Sequence, residues 1–302
     1  MSLQVPTTPL RVGLVGAGPW ARIAHGPGLA SSPDVALAGI WARRVTEAHD
    51  LADTLGCHAV DSFDELLDGC DALAFCVPPD VQARMALTAA AAGKHLFLDK
   101  PVAIDTGLAN ELSEEVSARG VASLVFFTDR FVPATQQWLA EVATVGGWQG
   151  GWMRWLSALQ EPGNPFGASP WRQQFGALWD TGPHALSNLI TALGPVGELR
   201  ATAGAGDLVH LVLQHESGAS STATLSQFVP PAAAGYETTL WGSAGFATMP
   251  QRPEGAEPDL VRGAVAEWAD AAQSGTRHPV DAAYGAEITR LLAAAEAQLS
   301  AR

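Results

Sequence analysis

Lysine is nearly missing from this 302-residue chain: of 17 cationic residues only Lys94 and Lys100 are lysines, and the other 15 are arginine. Arginine stays protonated in proteins, whereas a partly desolvated lysine can give up its proton. Proton chemistry by a cation is therefore to be sought at two positions. Cysteine is scarce as well. Cys57, Cys70 and Cys76 are an odd count at irregular spacing, which excludes a disulfide framework and offers no CxxC metal signature, so no metal site is expected. No apolar run reaches the ~20 residues that span a bilayer. The start MSLQVPTTPL has neither a basic region nor an apolar one of the signal-peptide kind. A cytoplasmic location is the expectation. Basic charge is also in short supply. The formal net charge is −14, with 8 basic and 15 acidic residues before residue 128 and 9 and 16 after it. Neither half has the composition for a basic face, which argues against nucleic acid and anionic membrane as partners. What is present, 47% hydrophobic and 16% charged residues, suits a globular chain with room for two domains.

In the first half, unbroken apolar runs alternate with helical patterns. Leu10 to Val15, Val35 to Trp41, Asp71 to Val77, His95 to Leu98 and Val121 to Phe127 read as strands. Helical patterns run to about Ala30 and over Val45–Leu55, Asp80–Ala92 and Asp105–Arg119, with a capping arrangement at Ser62 and Glu65. Strands without polar alternation have both faces covered, and their alternation with helices predicts a doubly wound parallel sheet over residues 1–128. Residues 129–302 read differently. A helix is expected over Pro133–Val142, a Trp-rich strand over Trp148–Leu159, a Pro/Gly-rich loop through Arg172 and a helix over Gly182–Leu193. Five strands with short turns follow between Glu198 and Met249, then two helices. This predicts an α+β domain on an antiparallel sheet.

Several stretches carry chemistry. Gly16-Ala17-Gly18-Pro19-Trp20-Ala21 follows a strand and opens a helix, the context that a dinucleotide fingerprint requires. About 20 residues on, an NAD site has an acid for the ribose 2′-hydroxyl. Here Trp41-Ala42-Arg43-Arg44 offers no carboxylate and two guanidiniums, which favours NADP, with NAD as the alternative. Trp41 or an arginine there can stack on adenine. Val77 and Pro78 end a strand at the same carboxyl edge. Gly93 to Pro101 is a short strand closing on Asp99, Lys100 and Pro101. In the second half Asp180 is placed to cap a helix, with His184 one turn further in. Trp152, Trp155, Phe166, Trp171, Arg172 and Trp179 gather around it. Trp155 is a candidate face for a substrate ring, and Arg172 is a candidate for a substrate anion or a structural ion pair.

This ordered set, together with Phe127-Thr128-Asp129-Arg130-Phe131-Val132-Pro133, resembles the glucose–fructose oxidoreductase/inositol dehydrogenase/MocA family. The resemblance implies a Rossmann domain followed by an α+β domain with an open, mainly antiparallel sheet. It further implies NAD(P)-dependent redox chemistry at a carbinol or carbonyl carbon, often of a sugar or cyclitol. Lys100 then takes the place of the catalytic lysine, and Asp180 and His184 the acid and histidine places of the substrate site. A homodimer or homotetramer through the exposed face of the second sheet is also implied. Asp99 stands where the family usually has Glu, Thr128 where it often has Asn, and Ser187 where many members have a further Asp. Lys100 and His184 are each able to move the proton that accompanies hydride transfer, and Asp180 to orient the histidine or bind substrate. The alternatives are a reductase or dehydrogenase of a non-sugar carbonyl or cyclic diol, or an NADP-binding regulator without turnover.

Overall fold

The apolar runs become strands and the helical patterns helices in the computed structural model of the chain, which describes residues 8–300. β1 (Leu10–Val15) leads into a π-helical turn (Ala21–His25) and α1 (Gly26–Ala30). Next come β2 (Val35–Trp41), α2 (Val45–Leu55), α3 (Phe63–Asp68), β3 (Ala72–Phe75) and α4 (Pro79–Ala91). β4 (His95–Asp99), α5 (Thr106–Arg119) and β5 (Ser123–Phe126) follow. After a short 3-10 turn (Thr128–Phe131) come α6 (Pro133–Val145), β6 (Trp148–Leu156), α7 (Pro170–Asp180) and α8 (Gly182–Leu193). β7 (Val196–Ala203), β8 (Val209–His215), β9 (Ser220–Ser226), β10 (Gly235–Gly242) and β11 (Gly245–Thr248) lead to α9 (Glu257–Ser274) and α10 (Ala282–Ser300).

The first compact unit comprises the described residues up to Asp99, Asn110–Phe126 and Glu254–Tyr284. Its sheet has the order β2-β1-β3-β4-β5, all parallel. Every residue of β3 and β5 is buried, as strands covered on both faces must be. Local signals set the helix ends. The Ser62 hydroxyl accepts the Glu65 N–H at 3.1 Å, while the Glu65 carboxylate takes the N–H of Asp61, one residue short of a full capping box. Asp105 accepts the Leu108 N–H at 2.7 Å and starts α5.

The chain passes from the first unit to the second between Phe126 and Phe127, and two further exchanges are invisible to a linear reading. Lys100–Ala109 packs in the second unit and Glu254–Tyr284 in the first. The reason is apolar surface. α9 buries Leu260, Val261, Ala264, Val265 and Trp268. A methyl added at Gly28 of α1 would lie 2.6 Å from Val261, and the Trp268 ring lies 5.5 Å from Phe97.

His25 is wholly buried in this unit, 5.6 Å from the rings of both Phe97 and Phe126, with neither ring nitrogen hydrogen-bonded. Burial lowers its pKa to about 3. The folded chain thus holds a neutral imidazole down to that pH, while the unfolded chain takes up a proton near 6.5. Stability from this group is intact above about pH 6.5 and is lost as pH falls toward 3, about 2 kcal/mol between pH 7 and 5. Denaturant titrations at the two pH values should show His25→Phe losing about 2 kcal/mol less than the wild type over that interval. Equal losses would refute this assignment.

The second unit comprises Lys100–Ala109, Phe127–Pro253 and the described residues from Gly285. Its six strands run in the order β11-β10-β6-β9-β8-β7, antiparallel except for the β6–β9 pair. α7 and α8 pack on one face of this open sheet. On the strands, Phe246, Trp241 and Val212 remain exposed. Two expectations are corrected here. The stretch through Arg172 is not all loop, because α7 begins at Pro170, and Asp180 does not cap the next helix. Asp180 is the last residue of α7, and α8 starts without a side-chain cap. Gly176, at φ 63° and ψ −163°, breaks the helical path and hides α7 from a periodicity reading.

Candidate active site

At the carboxyl edge of the parallel sheet, Gly16 has φ 115°, a conformation that favours glycine. A methyl there would lie 2.3 Å from the Cys76 carbonyl oxygen and 3.0 Å from Val77 Cγ1. The Gly16 N–H donates to the Trp41 carbonyl at 2.8 Å, and the Cys76 N–H to that of Val15 at 2.8 Å. The turn is therefore wedged between the ends of β2 and β3, where the strand order reverses. A methyl at Gly18 would meet nothing within 4 Å, so a ligand can approach the backbone there. The Arg22 guanidinium ties the turn down through the carbonyls of Ala17 and Glu47. These features fit a dinucleotide pyrophosphate over Gly16–Ala21.

Around it the sequence candidates take different places. Trp41 ends β2, with its ring 5.9 Å from Phe63. Arg44 pairs with Glu47 at 2.5 Å, whereas Arg43 is exposed. Pro78 precedes α4. Asp99 closes β4, and its backbone is pinned by Gln82, which accepts the Asp99 N–H at 2.9 Å and donates to the Asp99 carbonyl at 2.7 Å. The peptide bond from Lys100 to Pro101 is cis. His25, Cys76 and Asp99 each bring one metal-ligand type of atom within 4.8 Å of the others. They come from three elements, so no spacing motif announces them.

In the second unit the Lys100 ammonium donates to the Asp180 carbonyl at 2.7 Å and to Asp180 Oδ1 at 3.0 Å. Asp180 Oδ2 accepts from Arg172 Nε at 3.0 Å and from Gln227 Nε2 at 2.6 Å. Burial alone would raise the Asp180 pKa. The charges of Lys100 and Arg172 and their hydrogen bonds outweigh it, and the carboxyl lies below its ordinary value. Arg172 is further sandwiched by Trp171 and Phe166, at 4.7 and 4.9 Å from the ring centres. Of its two expected roles, the structure shows the ion pair.

Asp180 makes no bond to His184. That histidine is buried and stacks on Trp155 at 5.1 Å, and Trp155 stacks in turn on Tyr236 at 4.9 Å. Two rings thus stack on Trp155. Burial first, then the charges of Lys100, Arg252 and Arg172, lower the His184 pKa well below 6.5, so its imidazole is neutral at physiological pH. Trp179 belongs to the core, donating to Glu296 at 3.0 Å, and Trp152 meets Phe246 at 6.0 Å.

Sequence reasoning missed Gln227, Asn188, Tyr236 and Arg252, and gave Asp129 no role. Asp129 is buried beside Asn188, whose amide donates to Oδ2 at 3.0 Å, with Arg252 3.6 Å from Oδ1. Burial raises its pKa against the pull of Arg252, Asn188 and Lys100. Asn188 lies four residues after His184 on α8, one helical turn, and that spacing is the one signal that was available.

Residues 10–127 match the model of an oxidoreductase family, GFO_IDH_MocA, with an NAD-binding Rossmann fold. The chain is 30% identical over 198 residues to dTDP-3,4-didehydro-2,6-dideoxy-alpha-D-glucose 3-reductase of Streptomyces antibioticus, covering 63% of this chain and 59% of that protein. It is 29% identical over 194 residues to galactose 1-dehydrogenase of Pseudomonas fluorescens, covering 62% and 58%. The chain thus spans less than two thirds of the length of these curated relatives. Among solved structures, levoglucosan dehydrogenase in complex with NADH and levoglucosan superposes with a TM-score of 0.85 at 16% identity, over 97% of this chain and 98% of that one. UDP-N-acetylglucosamine 3-dehydrogenase from Acidithiobacillus ferrooxidans does so at 0.82 and 18%, over 98% and 99%. At these identities the structures show a shared fold. Residues 10–127 thus match the NAD-binding Rossmann part of this oxidoreductase family, and the chain as a whole shares the two-sheet fold of these structures.

Proposed function

We propose that the chain is a nicotinamide-dependent oxidoreductase that moves a hydride between cofactor and the carbinol or carbonyl carbon of a small sugar- or cyclitol-like substrate. The observation that carries this reading is Lys100, one of two lysines in the chain, held at 3.0 Å by the buried Asp180 carboxylate in the same unit as a neutral His184. When bound, the nicotinamide supplies or takes the hydride. The turn Gly16, Gly18, Pro19, Trp20 and Ala21 receives the pyrophosphate, Val77, Pro78 and Asp99 line the strand edge, and Pro101 follows Lys100 in the chain. Lys100 moves the proton at the substrate oxygen. His184, neutral and clamped by Trp155, hydrogen-bonds that oxygen, while Asp180 and Arg172 hold Lys100 in place.

NADP is the favoured cofactor in this proposal. β2 ends without a carboxylate, and Arg43 is exposed while Arg44 is taken up by Glu47. A second copy of the chain is the proposed partner, through the sheet face that exposes Phe246 and Trp241.

The test combines 340 nm absorbance with D-glucose, D-galactose, myo-inositol and a cyclic diol, each with NAD+ and NADP+, and light scattering of the same preparation. Expected are turnover of a polyol, tighter NADPH than NADH binding that Arg43→Ala weakens about tenfold, and a dimer or tetramer. Turnover of the diol alone favours the non-sugar reading. Cofactor binding without turnover of any substrate favours the regulatory one. Tighter NADH binding unaffected by Arg43→Ala overturns the NADP assignment, and a monomer overturns the partner.

A further inference from the structure

The donors around Asp180 take up both of its oxygens, those around Asp129 only Oδ2, and specific acceptors are left unmatched. Lys100 Nζ, Arg172 Nε and Gln227 Nε2 all donate to Asp180. Asn188 Nδ2 donates to Asp129 Oδ2. Because Gln227 must turn its NH2 toward the carboxylate, its Oε1 is fixed as an acceptor. Its backbone is fixed too, since the Gln227 N–H donates to Asp207 Oδ2 at 2.6 Å. Gln227 Oε1 and Asp129 Oδ1 are buried and accept no hydrogen bond among the described residues. Arg252 faces Asp129 Oδ1 at 3.6 Å, beyond hydrogen-bond length. The Arg252 side chain is 21% exposed, whereas that of Asp129 is 2% exposed.

A buried acceptor without a donor is destabilising. Two of them on one polar cluster are a demand for a ligand that donates. Resting on the reading above, we propose that Asp129 Oδ1 and Gln227 Oε1 recognise hydroxyl groups of the substrate other than the one that is oxidised. The substrate class this selects is a neutral polyol with at least two hydroxyls beyond the reacting carbinol. A carboxylate or phosphate at the same place would meet acceptors instead of donors. Arg252 moves off Asp129 as the hydroxyl enters, and Asn188 holds the carboxylate in register.

The test uses calorimetric binding and turnover of D-glucose, D-galactose and their 2-deoxy, 3-deoxy and 6-deoxy forms, with cofactor present. In the wild type at least one deoxy form should bind about 30-fold more weakly than its parent, the size of one lost hydrogen bond to a buried charged acceptor. Asp129→Asn should shrink that ratio below about threefold. Asn188 still needs an oxygen, so the new NH2 faces the ligand where Oδ1 stood. Melting curves establish that the variant is folded; if it is not, the wild-type ratios alone decide. Ratios near one in the wild type, a ratio unchanged in a folded Asp129→Asn, or tighter binding of gluconate or glucose 6-phosphate than of the neutral sugars would each overturn the proposal. Polyol binding with the expected ratios but no nicotinamide reduction would overturn the hydride-transfer reading and leave this one standing. Turnover with flat ratios would do the reverse.

Discussion

Lys100→Ala should lower turnover by about 10²–10⁴-fold, the range that a positioned general acid or base supplies. The loss should fall on kcat. Binding of the reduced nicotinamide cofactor, followed by fluorescence, should stay within about threefold, because the turn proposed for the pyrophosphate, Gly16–Ala21, lies in the other compact unit. Lys100→Arg should not rescue the rate. An arginine keeps the charge beside Asp180 but does not give up a proton. This separates proton transfer from charge pairing, which Arg would preserve. His184 is no substitute, since its lowered pKa leaves it without a proton to give as an imidazolium at neutral pH. Retention of turnover within about threefold in Lys100→Ala would remove the lysine from the chemistry and bring the regulatory reading forward.

Lys100 was legible because lysine is so rare here and because it stands at the end of an apolar strand. The first unit was legible for a related reason. Strands such as Ala72–Phe75 are apolar at every position, so their burial on both faces is written in consecutive residues. Asp180 and His184 were found by their spacing, but Asp180 was given the wrong local role. A helix cap is a contact within four residues, whereas the Asp180 partners lie 80, 47 and 8 residues away in sequence. Trp155 shows the same limit. Its aromatic character was visible, but not that His184 and Tyr236 stack on it. Gln227, Asp129 and Arg252 carry no pattern at all, because they converge from the end of β9, the crossing after β5 and the segment after β11. The return of α9 to the first unit was likewise hidden, since an amphipathic helix does not name the sheet it will cover.

Asp180→Leu should destabilise the second unit by about 3–5 kcal/mol at pH 7, the cost of removing one partner from a buried ionic cluster. Leucine keeps the branching at Cγ but leaves the Lys100 and Arg172 side chains, 11% and 19% exposed, without a counter-charge. It also leaves the Gln227 amide without its acceptor. The sign with pH follows from the lowered Asp180 pKa. The stabilisation is fully present above the unfolded-state value near 4 and is lost as pH falls through the lowered folded-state value. Urea unfolding of wild type and variant should therefore differ most at neutral pH and converge in acid below about pH 4. Adding Lys100→Met to Asp180→Leu should recover part of the loss, because the double variant no longer buries an ammonium without a partner. A single-variant loss under about 1 kcal/mol would show that solvent reaches these cations. Lys100 would then be held by the Asp180 carbonyl alone, and the carboxylate would serve the substrate instead of the lysine.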